Sequence, residues 1–160
     1  MAYIIFCIFV GIISPVWGLR SGLINSEEFD NVVVIPDLHG DYFAAVSSLW
    51  KAFMQIENVD IELDEFSRLM KLNTLPTLLS SKPSRTIVVQ LGDLVDRGPE
   101  ALPCFNLFGA IPSVIGWQTI ALFGNHELVS IVHGFESYVH PLDYQSFNGV
   151  DARKEAFGYG

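Results

Sequence analysis

The sequence is short of several residue classes, and each shortage removes a class of function. Nine Lys and Arg stand against 18 Asp and Glu in 160 residues, a formal net charge of −9. A protein that holds nucleic acid through its phosphate backbone needs a basic footprint, so the balance argues against an electrostatic nucleic-acid partner and leaves nucleic acid open only as a substrate. Cysteine is scarce, with only Cys7 and Cys104. There is no Asn-x-Ser/Thr acceptor, no internal repeat, and no uninterrupted apolar run of the about 20 residues a spanning helix needs. Hydrophobic residues are not lacking: at 50% they suffice for one domain with a real core, which excludes whole-chain disorder.

The apolar surplus is concentrated at the N-terminus. Met1 to Gly18 carries no charged side chain and is broken by Gly11 and Pro15, and all the basic residues follow it. Small residues at Val16 and Gly18 fit a cleaved secretory signal, with Leu19 as the first mature residue. A buried N-terminal element and a short signal anchor are the competing readings. Cleavage would take Cys7 away, leave Cys104 without an intramolecular partner, and leave no stable membrane anchor. The expected organisation is a signal peptide over 1–18, a leader over 19–30 and a catalytic-type domain over 31–160, in a secreted or secretory-pathway protein.

From Asn31 onward short apolar runs alternate with amphipathic stretches, the layout of an α/β domain with parallel strands. Asn31 to Ile35, Thr86 to Leu91 and Thr119 to Phe123 are predicted strands, the first buried on both faces. Ala44, Ala45, Leu49, Ala52, Phe53 and Ile56 recur at helical spacing, predicting a helix from about Tyr42 to Glu57. Leu63, Phe66, Leu69, Met70 and Leu72 form the apolar stripe of a second helix, and Ser80 to Ser84 is a loop by composition. A third helix is expected to open with Pro99 and Glu100, its start made ragged by Pro103, and a fourth to run from about His126 to His133.

Each predicted strand is followed at once by a polar cluster: Asp37-Leu38-His39-Gly40-Asp41, then Gly92-Asp93-Leu94-Val95-Asp96-Arg97-Gly98, then Gly124-Asn125-His126-Glu127. In an open parallel sheet the crevice beyond the carboxyl ends of the strands is the usual ligand site, so the clusters converge on one pocket. Gathering several Asp and His there without an organiser would cost several kcal/mol in desolvation and repulsion, and a divalent metal is the economical organiser. Carboxylate, imidazole and amide oxygen without thiolate suit Mn, Fe or Zn. Asp37 and His39 can aim at one ion from a tight turn, Asp93 can bridge to a second, and Asn125 offers that second ion a neutral oxygen. Arg97 is a planar fork for phosphate oxygens, His126 is placed to act as general acid, and Asp96 to orient it. Asp-x-His alone is common loop polarity, but the five fixed residues of the second cluster should arise by chance with a probability on the order of 10⁻⁴.

These clusters resemble the first three motifs of the calcineurin-like metallophosphoesterases, and among them the phosphoprotein phosphatases: Gly-Asp-x-His, Gly-Asp-x-x-Asp-Arg-Gly and Gly-Asn-His-Glu. The tail from Tyr138 to Phe157 is similar to that of the Shewanella-like branch. The resemblance implies an α/β/β/α sandwich of which this chain holds the N-terminal part, and a site with two divalent ions that activate a water for in-line attack on a phosphate monoester. It places Asp37, His39, Asp93 and Asn125 on the metals, Arg97 and Asn125 at the substrate phosphate, and His126 with Asp96 behind it at the leaving oxygen.

The sequence departs from the family pattern in three ways. Pro36 stands where the first motif usually has Gly. The 56 residues from Asp37 to Asp93 imply an insertion near the substrate cleft. The later His ligands of the family are not in evidence, because His133 and His140 follow His126 by only 7 and 14 residues and suit a helix end or the surface. The expected function is metal-dependent hydrolysis of phosphate monoesters with a phosphoprotein substrate. The alternatives are a truncated noncatalytic product that binds a phosphorylated partner, and a hydrolase of phosphodiesters or small phosphate esters.

Overall fold

β-branched runs and helical periodicity set the order of elements in the computed structural model, which describes residues 28–75, 83–133 and 139–158. The expected signal peptide, almost all of the leader, and residues 80–82 of the expected loop lie outside the described residues. The order is β1 (Asn31–Ile35), α1 (Tyr42–Glu57), α2 (Leu63–Leu72), β2 (Thr86–Gln90), α3 (Ala101–Val114), β3 (Gln118–Ala121), α4 (Asn125–His133), α5 (Pro141–Ser146) and α6 (Val150–Ala156). The strands form one parallel sheet in the order β1-β2-β3, with Asn31 opposite Thr86 and Ile87 opposite Gln118. This mixed α/β architecture is consistent with part of a metallophosphatase sandwich. Among the described residues no helix is long and apolar enough to cross a membrane.

Helices α1 and α3 pack against the sheet, and α2 packs against both of them. Ala45, Val46, Leu49 and Phe53 line the buried side of α1, meeting Phe66, Leu69 and Met70 of α2 and Leu107, Phe108 and Ile111 of α3. Phe53 is the hub, tilted against Phe66 at 5.3 Å and Trp117 at 6.0 Å between ring centroids. The second helix of the expected insertion thus belongs to the core, and its last turn brings the Lys71 ammonium over the ring of Tyr42, one residue from Asp41.

Two expectations change. β1 is not buried on both faces: Val33 and Ile35 face the helices, while Val32 and Val34 point the other way and are 59% and 57% exposed. The sheet is covered from the helical side at β1, so its β-branched run reflects strand propensity as much as burial. The third strand begins at Gln118 and ends at Ala121, two residues short of the expected Phe123. The last residue pair with β2 is Ala121 opposite Gln90; Leu122 N still donates to the Gln90 carbonyl at 2.8 Å, and beyond it Gly92 at φ 101° takes the partner strand into a loop.

Helix ends are fixed by local chemistry that also shapes the crevice. The Asp41 side chain caps α1 by accepting from Ala44 N at 2.8 Å. α3 starts at Ala101, two residues after the expected Pro99, and Glu100 gives it no side-chain cap. The carboxylate of Asp143 on α5 serves instead, accepting from Ala101 N at 3.2 Å. Pro103 falls in the first turn, where a missing N–H costs nothing.

Candidate metal centre

The loop after β1 and the loop after β2 are laced through their backbones. Leu38 and His39 donate their N–H groups to the carbonyl of Asp93 at 3.1 and 2.8 Å, and Gly40 donates to that of Leu94 at 2.8 Å. The third cluster joins through Glu127. Its Oε2 accepts from Asp93 N and Gly124 N, both at 2.8 Å, and its Oε1 accepts from Leu94 N at 2.6 Å and Val95 N at 3.2 Å. One carboxylate therefore organises four backbone donors at the base of the site. Burial pushes its pKa above the usual carboxylate range, and these donors oppose that push. In the sequence Glu127 is only the last residue of the third motif, with nothing to mark this structural role.

Glycine is required where the loops interlock. A Cβ on Gly124 would collide with the carboxylate and backbone nitrogen of Asp93, and one on Gly98 with the carbonyl of His39. The side-chain-bearing residues around them adopt costly backbone conformations. His39, Asp93, Asp96 and Arg97 have φ of 47°, 51°, 67° and 64°, the left-handed region that L residues rarely occupy, and concentration of such strain marks a site held by its surroundings.

That frame aims the polar groups at one another. One ligand atom from each of His39, Asp93 and His126 lies within 4.8 Å of the others. His39 Nδ1 lies 3.1 Å from the carbonyl of Val95, which fixes this nitrogen as the donor and leaves Nε2 free to bind an ion. Asp93 is 7% exposed, and its Oδ1 accepts from His126 N at 2.9 Å. The carboxylate and imidazole donors fit a divalent ion without thiolate; Asp37 is exposed and is not in that cluster, and Asn125, at the start of α4, is exposed as well.

His126 has both ring nitrogens engaged. Nδ1 meets Asp96 Oδ2 at 2.9 Å, and Nε2 meets Arg97 Nη2 at 3.1 Å, so Nδ1 carries the proton while Nε2 accepts from the guanidinium. Asp96 is buried, whereas Arg97 is exposed and lines an open cleft with His39, Gly40, Asp41, Gly98 and Glu100. The structure thus brings His39, Asp93, Asp96, Arg97 and His126 into one constellation; Asp37 and Asn125 are its neighbours along the chain and are exposed. His140 is not part of it: its Nδ1 accepts from Leu142 N at 3.1 Å and caps α5, as a helix-end histidine does. His133 is the last residue of α4.

Residues 31–158 match the family described as calcineurin-like phosphoesterase. The chain belongs to that family. Metal-dependent hydrolysis of phosphoesters is the reaction of this phosphoesterase family, and His39, Asp93 and His126 form a cluster that could hold a metal ion, with the His126 ring nitrogens already bonded to Asp96 and Arg97. Among curated proteins the chain is similar to the uncharacterized protein C1840.07c of Schizosaccharomyces pombe, 38% identical over 63 residues, which is 38% of this chain and 19% of that protein. The match therefore spans about a fifth of the relative's length. No solved structure matches.

Proposed function

We propose that this phosphoesterase hydrolyses phosphate monoesters, with phosphoproteins as substrate, and that it resembles the Shewanella-like branch of the phosphoprotein phosphatases in its α5–α6 tail. The observation that carries the proposal is the chain Asp96–His126–Arg97, an oriented acid and an anion fork side by side at the edge of the metal cluster. Asp37, His39, Asp93 and Asn125 would hold two divalent ions, which when bound supply an activated water and neutralise phosphate charge. Arg97 is free to swing from the imidazole to the equatorial oxygens of an incoming phosphate, for which its planar fork is suited. Asn125 adds an amide donor at the same phosphate. With Arg97 engaged there, the Nε2 lone pair of His126 is open to take a proton from solvent, and the imidazolium so formed, held through Nδ1 by Asp96, can pass that Nε2 proton to the leaving oxygen. The alkoxide leaving group of a phosphoserine or phosphothreonine ester is poor and gains from a proton donor, and a monoester offers the fork three non-bridging oxygens where a diester offers two.

Manganese-stimulated turnover of an aryl phosphate and of phosphoserine, phosphothreonine and phosphotyrosine peptides, beside bis-aryl phosphate, tests the assignment. Cleavage of phosphopeptides is expected. Cleavage of the diester alone would replace the reading with a phosphodiesterase. Metal binding and phosphopeptide binding without turnover would make the chain a binding module. We also propose that the protein enters the secretory pathway. N-terminal sequencing after expression in a secreting cell should begin at Leu19, and an intact Met1 would overturn that.

A further inference from the structure

Two of the buried charges among the described residues have no part in the reaction outlined above. Arg153 of α6 is 6% exposed and Asp143 of α5 is 0% exposed. Arg153 Nη2 donates to Asp96 Oδ1 at 2.8 Å, and its Nε donates to Asp143 Oδ2 at 3.2 Å. The other oxygen of Asp143 accepts from Ala101 N at 3.2 Å and from Ser146 Oγ at 3.1 Å, which ties the pair to the first turn of α3. The guanidinium itself lies over the rings of Phe157, 4.9 Å from its centroid, and Phe147, at 5.7 Å.

A guanidinium is costly to bury, and a surface tether between helices would not need one. What the buried fork supplies is direction. Asp96 sits in a loop at φ 67°, and its two oxygens have separate tasks: Oδ2 meets His126 Nδ1, and Oδ1 meets Arg153. A carboxylate held at one oxygen only can turn about its Cβ–Cγ bond, and each turn tilts the imidazole bonded to the other oxygen. Arg153 removes that freedom, and Asp143 with the two Phe rings removes the freedom of Arg153.

We propose that Arg153 is a positioning residue for the general acid, and that α5 and α6 are a buttress behind His126, built as the relay Asp143–Arg153–Asp96–His126. This rests on His126 acting as the acid. A positioned acid matters most where the leaving group is poor, so the loss of Arg153 should fall unequally on substrates.

The test uses Arg153→Gln and Arg153→Lys in the whole protein at one fixed pH. The first measurement is proton NMR of histidine-labelled, metal-free protein, in which the wild type should show a downfield, slowly exchanging His126 Nδ1 proton, assigned by its loss in His126→Asn. In R153Q that resonance should broaden or vanish, and in R153K it should persist, shifted, because a lysine can still reach Asp96 but cannot also bridge to Asp143. The second measurement is turnover. R153Q should lower kcat on a phosphoserine peptide at least tenfold while changing kcat on p-nitrophenyl phosphate less than threefold and KM on either less than twofold, with R153K between the two proteins. An unchanged resonance in R153Q, or equal losses on both substrates, would overturn the proposal. If His126→Asn itself leaves the ratio of the two substrates unchanged, the reading of His126 as acid fails instead. Should R153Q not fold, R153K alone decides: a resonance and substrate ratio identical to wild type would refute the relay, and a shift in both would support it.

Discussion

Replacing Glu127 with glutamine keeps the size of the side chain and changes one oxygen to an NH₂, so the cost follows from which oxygens are in use. Both are: Oε1 accepts from Leu94 N and Val95 N, and Oε2 from Asp93 N and Gly124 N. Whichever way the amide turns, one pair of backbone N–H groups faces an NH₂ and is left without an acceptor in a site only 2% exposed at Glu127. Each orphaned buried donor costs about 1–3 kcal/mol. Some of that is returned, because burial already disfavours the charged form of this carboxylate, and a neutral amide is cheaper to bury. The net loss expected is roughly 2–4 kcal/mol, a large part of the stability of an ordinary domain. With a urea m-value of about 1–3 kcal/mol/M, the unfolding midpoint should fall by about 1–2 M. Glu57→Gln is the control. Its described bonds, from Ser84 N, Ser84 Oγ and Trp117 Nε1, all go to Oε1, so an amide with its carbonyl in that place preserves them and should cost less than about 1 kcal/mol. A Glu127→Gln midpoint no lower than that of Glu57→Gln would refute the reasoning.

Three further outcomes are expected. Gly124→Ala should weaken manganese binding at least tenfold by calorimetry, because the new Cβ displaces the Asp93 carboxylate, and unchanged affinity would show that Asp93 is not held by this contact. Asp37→Ala should weaken metal binding equally while leaving metal-free stability within about 0.5 kcal/mol, since the residue is exposed; a stability loss larger than that would mean Asp37 supports the loop and not an ion. The Cys104 thiol, pushed up to about 12 by burial and then by Glu100, Asp41 and Asp143, should resist iodoacetamide at pH 8 and react only as urea unfolds the chain, read by peptide mass spectrometry; labelling under native conditions would contradict its placement in the core.

The parts of the fold legible in the sequence are those where a local period meets a tertiary surface. Asn31–Ile35 and Tyr42–Glu57 form where their residue patterns place them, because a β-branched run and i, i+4 spacing are properties of one segment. β3 is misjudged at both ends because its limits are set by β2, fifty-odd positions from the first strand and on another loop's terms: Gln118 is polar, yet pairs with Ile87, while Leu122 and Phe123 are apolar, yet lie past the last residue pair, Leu122 holding on through its N–H to the Gln90 carbonyl. α5 and α6 escape notice for a different reason. At six and seven residues they are shorter than the window in which helical periodicity declares itself, and their buried members are charged.

The candidate site divides along the same line. The groups that face the cleft carry unusual chemistry and stand in short motifs, so Asp37, His39, Asp93, Asp96, Arg97, Asn125 and His126 could be picked out one by one. The groups that hold them do not. Glu127, Asp143 and Arg153 are ordinary charged residues in sequence, and only burial with saturated hydrogen bonding separates them from surface charges. A signal was nonetheless present for Arg153, which lies between Phe147 and Phe157 at the ends of two short apolar-polar stretches, a setting in which a solvated arginine gains nothing from its neighbours. The net charge of −9 takes on a different sense in this light. Asp93 lies in the candidate metal cluster, Asp96 and Asp143 share one buried arginine, and Glu127 is spent on backbone donors, so these four acidic residues are committed inside the fold and are not an acidic surface offered to a partner.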